Sequence, residues 1–97
     1  MLNEILQQNP GDAFARYGLA MAYVADGKRD EALKEFAETI ERSPDYVPAY
    51  QMSAQELVKA GRVGEAKDRL KAGMAVCERT GNDHAASEMS AMLDEIG

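Results

Sequence analysis

Sliding the chain against itself by 34 residues lays Tyr23 on Leu57, Gly27 on Gly61, Glu31 on Glu65, Ala32 on Ala66 and Phe36 on Leu70. A unit of that length cannot bury its apolar face alone, so the chain is expected to stack such units into one core. Within each unit the apolar spacing is helical: Leu19, Ala20 and Tyr23 share one face, as do Ala32, Leu33, Phe36 and Ile40. Gly27 and Gly61 stand where a first helix must end and turn back, a place that favours the left-handed backbone glycine adopts cheaply. Asn9-Pro10-Gly11-Asp12 and Ser43-Pro44-Asp45 read as breaks between units, since proline cannot continue a helix. The pattern predicts helices over 13–25, 29–42, 47–60, 63–79 and 84–96, with a short one over 2–8.

Composition narrows the function classes. At 97 residues the chain is one domain, and its formal net charge of -6 is spread evenly. Residues 1–44 hold five basic and eight acidic side chains, and residues 45–97 hold six and nine. No basic arm is hidden in that balance, so nucleic acid is not expected as a partner. No apolar run approaches the ~20 residues that span a bilayer, so no membrane partner is expected either. The single Cys77 cannot close an internal disulfide, which suits the cytoplasm.

The repeat resembles the tetratricopeptide repeat (TPR) family along nearly the whole chain. Leu19-Ala20, Tyr23, Gly27, Asp30-Glu31-Ala32, Phe36 and Pro44 carry the resemblance in the first repeat. Tyr50, Ala54, Leu57, Gly61, Ala66 and Leu70 keep it in the second, where Ser53 replaces a large apolar residue and Glu78 a closing proline. The whole is similar to small stand-alone bacterial TPR proteins. The resemblance implies an all-α array of antiparallel helix hairpins, an α-α superhelix in a single domain over 1–97. Its parts are a half-repeat helix (1–12), repeat 1 (13–46), repeat 2 (47–80) and a capping helix (81–97). Leu2, Ile5 and Leu6 would belong to the half-repeat, and Ala85, Ala86, Met89, Met92, Leu93 and Ile96 to the inner side of the cap. Glu38 with Arg42 and Glu65 with Arg69 stand four apart in the favourable order of helix-surface pairs.

Catalysis is not expected. His84 is the only histidine and fits the first turn of the last helix, because no Cys-His or Ser-His-Asp set can be placed around it. Cys77 reads as a half-buried packing thiol, with a reactive thiol as the alternative. One Cys and one His make no usual zinc site, and Asp26 to Glu31 lacks the alternating oxygen ligands of a calcium loop. No catalytic, cofactor-binding or metal-ligating residues are therefore assigned. The local +2 of residues 62–79, with Lys67, Arg69 and Lys71, reads as a solvated face or as a docking patch for an acidic partner.

The first helix is the informative segment, because Arg16 is its only charge. Leu19, Ala20 and Tyr23 face the hairpin partner, and Ala15, Gly18, Ala22 and Ala25 form a small-residue arc. Phe14, Tyr17, Met21 and Val24 are left over as a third, apolar arc. In the TPR family this arc faces the concave groove, and the matching residues of the second repeat are Pro48, Gln51, Gln55, Val58 and Lys59. The resemblance thus implies a groove with one apolar and one amide-rich wall. Tyr17 and Met21 stand where the family's carboxylate clamp places Lys and Asn, so acidic chaperone tails are not the expected ligand. The expected function is a non-catalytic protein- or peptide-binding adaptor with Phe14, Tyr17, Met21, Val24, Gln51, Gln55, Val58 and Lys59 in its partner site. The alternative is homodimerisation through the same stripe or the last helix. A chain end folded back over the stripe would instead make it core.

Overall fold

The computed structural model describes Leu6, Gln8, Asn9 and residues 11–97. The expected half-repeat over 1–12 lies largely outside the described residues. Five helices follow: α1 (Ala13–Ala25), α2 (Arg29–Arg42), α3 (Val47–Lys59), α4 (Val63–Thr80) and α5 (Asp83–Ile96). No strand occurs among the described residues, and the all-α repeat fold is as the sequence implies. Helix ends differ from the expected ones by a single residue at α3, α4 and α5.

Local chemistry explains the ends. Gly27, Gly61 and Gly81 all have φ between 75° and 78°, in the left-handed region. At the first bend Lys28 N–H donates to the Tyr23 carbonyl (2.8 Å) and Gly27 N–H to that of Val24 (3.1 Å), and Arg62 and Gly61 repeat the pair on Leu57 and Val58. These two crossed bonds occupy carbonyls that a helix end would otherwise leave open. Asp12 Oδ1 accepts from Ala15 N–H (2.9 Å) to start α1, and Asn82 Oδ1 from Ala85 N–H (3.2 Å) to start α5.

Each helix packs on the next in sequence, and α3 also touches α5. The molecule is 17 Å across its thinnest dimension, about two helix diameters. The layers are α1, α3 and α5 on one side and α2 and α4 on the other. One core gathers Ala20, Ala32, Phe36 and Ala49 from the first three helices, and a larger one gathers Ala54, Leu57, Ala66, Leu70, Cys77 and Met89 from the last three. Cys77 is fully buried rather than half-buried, and burial pushes its thiol above the usual value, away from the reactive thiolate.

Ala32 and Ala66 have no exposed surface. They let paired helices approach while Phe36 and Leu70 fill the flanks. Replacing either alanine with Leu is expected to overpack its crossing and cost about 1–3 kcal/mol. Thermal melts of Ala32→Leu and Ala66→Leu check this, and melting temperatures equal to the parent's would contradict it.

Polar side chains complete the seams in ways local spacing does not show. Glu56 is 3% exposed, yet its carboxylate meets Arg29 from α2 (3.4 Å) and Lys59 on its own helix (3.2 Å). Arg16 reaches Glu35 on α2 at 2.8 Å. Arg42 pairs with Glu38 as expected, but the Glu65–Arg69 pair does not form. Glu65 takes Arg62 instead, and Arg69 turns inward to donate to Ser53 Oγ at 3.4 Å. The small Ser53, fully buried where a large apolar residue is usual, makes room for that guanidinium. Burial accordingly pulls the Arg69 pKa below its ordinary value.

Candidate partner-binding face

Alpha helix α1 carries the apolar arc, and its members meet different fates. Phe14 is 75% exposed, the one large apolar side chain among the described residues that stays in water. Tyr17, Met21 and Val24 are half-buried and pack against the cluster of Ala20, Ala32, Phe36 and Ala49. The arc is thus partly used by the core, a correction to its reading as wholly surplus to the hairpin contact. The cause is the second repeat, whose Ala49 and Met52, with the preceding Tyr46, join the same cluster, the Tyr46 ring lying against Tyr17. Leu19, assigned by the sequence to the hairpin contact, is half-buried but is not part of this cluster.

Tyr17 is the hinge of the arrangement. Its ring centroid lies 5.8 Å from that of Phe36 and 5.4 Å from that of Tyr46, tilted by 54° and 51°. Tilted rings at this separation place the positive edge of one over the negative face of the other. Burial, then the nearby Tyr46, raises the Tyr17 pKa above the ordinary phenol value. Burial, then Asp12, does the same for Tyr46. Both hydroxyls are therefore neutral donors in any ordinary buffer. The Tyr50 hydroxyl donates to the Pro44 carbonyl at 2.6 Å, whereas those of Tyr17 and Tyr46 meet no acceptor among the described residues. Tyr46 follows the Pro44-Asp45 break, and sequence reasoning missed it because loop residues carry no helical period.

On α3, Gln51 and Gln55 are half-buried, and neither amide has a hydrogen-bond partner among the described residues. Val58 is half-buried against the larger core, and Lys59 is exposed but held by Glu56. The structure brings Gln55, Val58 and Lys59 together with Met92, Glu95 and Ile96 of α5 around one open cavity of about 330 Å3. Phe14 stands apart, outside both cores.

A tetratricopeptide repeat family model matches residues 1–57, more than half of the chain. The chain belongs to the tetratricopeptide repeat family. A TPR and J domain-containing co-chaperone of Cryptococcus neoformans is 31% identical over 90 residues, which cover 93% of this chain and 16% of that protein. The chain therefore spans about one sixth of that relative's length. A TPR domain protein of Salinibacter ruber, 28% identical, superposes with a TM-score of 0.82 over 88% of this chain and 94% of that one. The TPR2B domain of yeast Sti1, solved in complex with pHsp70, superposes with a TM-score of 0.90 at 22% identity, covering 98% of this chain and 76% of that one.

Chemically, Phe14, Tyr17, Tyr46, Gln51 and Gln55 can offer apolar contact and neutral hydrogen bonds. No group of three or more His, Cys, Asp or Glu able to hold a metal occurs among the described residues, and none of their helices is long and apolar enough to cross a membrane. His84 is solvent-exposed on α5, with Nε2 3.2 Å from Glu88 Oε1.

Proposed function

We propose that this chain is a non-catalytic adaptor that holds a segment of a partner protein on the face formed by α1, α3 and α5. The observation that carries the reading is the exposed Phe14 on the same helix as Tyr17, whose hydroxyl, like that of Tyr46, meets no acceptor among the described residues. An exposed aromatic next to uncommitted donors suits a ligand that brings apolar side chains and backbone carbonyls. Gln51 and Gln55 extend the same chemistry, because an amide both donates to and accepts from a peptide backbone without selecting its sequence. Membership in the TPR family supports the reading, as does the likeness to the Sti1 domain whose structure holds pHsp70. Met21, Val24, Val58 and Lys59 complete the proposed face, in a reducing setting such as the cytoplasm where the buried Cys77 stays free.

Phe14→Glu tests the reading without touching either core. Partner capture is expected to fall at least tenfold while helical content and melting temperature stay at the parental values, the effect of removing an aromatic anchor. The pair Tyr17→Ala and Met21→Glu is expected to abolish capture, with some loss of stability because both side chains also pack. Normal capture by folded Phe14→Glu and by the folded double variant would refute the adaptor face. Light scattering over a concentration series separates the alternative: a dimer lost in Phe14→Glu would mean that the face meets a second copy of the chain.

A further inference from the structure

We infer that the cavity between α3 and α5 is a subsite for one lysine or arginine side chain of the bound segment. The inference rests on the proposed α1–α3–α5 face and gives that face a charge preference. Three walls of the cavity, Val58, Met92 and Ile96, are apolar and half-buried, and its rim carries the carboxylate of Glu95. A long basic side chain matches both features, since its methylene stem covers apolar surface while its head stays at a wet, charged rim.

The surrounding charges favour a cation. Glu95 forms no ion pair among the described residues, and α5 ends with Asp94 and Glu95 in its last turn and no basic residue there. The open carbonyls of a helix C-terminus add partial negative charge at the same place. Two cations come near, and both are committed elsewhere. Lys59, which faces the cavity from α3, lies 3.2 Å from the buried Glu56 carboxylate. Lys67 of α4 donates to the Gly97 carbonyl at 2.7 Å rather than to Glu95. The net charge of -6 adds a general attraction for basic segments. An acidic segment would meet the Glu95 carboxylate, which pairs with no cation among the described residues.

The test selects binders from a phage-displayed library of random dodecapeptides on the immobilised chain. Recovered peptides are expected to combine apolar residues with Lys or Arg at one fixed position, and selection on Glu95→Lys is expected to replace that residue with Asp or Glu. In fluorescence anisotropy, exchanging the basic residue of a recovered peptide for norleucine should weaken binding about fivefold on the parent and less than twofold on Glu95→Lys. Salt at about 0.5 M should shrink the parental difference, because exposed charges are then screened within a few ångströms. Peptides that bind through Phe14 but show no charge preference, or an acidic one, or no response to Glu95→Lys, would overturn the subsite and leave the adaptor face standing. Recovery of no peptide, or only of peptides indifferent to Phe14→Glu, would overturn both.

Discussion

Replacing Phe36 with Ala is expected to remove about 3–5 kcal/mol of stability, because the ring is fully buried and its loss leaves a cavity that helices cannot close without tilting. Phe36 packs with Ala20, Ala32 and Ala49, and Tyr17 leans on it from the proposed partner-binding face. The whole domain has only ~5–10 kcal/mol to lose. A fall in melting temperature of more than about 10 °C is therefore expected, at ~4–8 °C per kcal/mol for a domain of this size. Tyr17 would also lose one of its two aromatic neighbours, so partner capture should weaken even where the variant is still folded. A melt within a few degrees of the parent's would mean that Phe36 is not the centre of the first core.

The second large effect is at Gly73, in the middle of α4 and buried there. Helix propensity alone favours Ala over Gly by ~1 kcal/mol, so Gly73→Ala would stabilise an isolated helix. In the folded chain a Cβ at this position would lie 2.7 Å from Tyr50 Cβ and 2.7 Å from Met89 Sδ. The Met89 thioether can swing aside, but Tyr50 Cβ is fixed to the α3 backbone. Overpacking wins, and a net loss of about 1–3 kcal/mol is expected. Gly73→Leu should push α5 off altogether and expose the apolar side of α4, giving a chain that self-associates on warming. A higher melting temperature for Gly73→Ala would show that α3 and α5 do not close on α4 as described.

What the sequence made legible followed from local pattern. The 34-residue period, Gly27 and Gly61 at positive φ, and the small Ala32 and Ala66 one turn before Phe36 and Leu70 all follow from spacing along one or two helices. What it hid depends on partners far along the chain. Nothing near Glu56 marks it as a buried carboxylate, because Arg29 comes from 27 residues away. Glu65 and Arg69 have the spacing of a surface pair, yet a small Ser53 on the facing helix draws Arg69 inside. Gly73 reads as an ordinary helix glycine until Tyr50 and Met89 converge on it. The candidate face divides the same way. Helical periodicity finds Phe14, Tyr17, Met21 and Val24 as one arc, but only tertiary packing determines that Phe14 stays open while the other three lean on the core.

The most direct measurement of the central claim is a photo-crosslinking scan, with a benzophenone side chain placed singly at exposed or half-buried positions of each layer. Positions 14, 51 and 55 lie on α1 and α3, and positions 34 and 68 on α2 and α4. In extracts of the organism that encodes the chain, one partner band is expected from positions 14, 51 and 55, lost in the presence of Phe14→Glu at the remaining two. Partner crosslinks from positions 34 and 68 alone would place the interaction on the opposite layer and contradict the account.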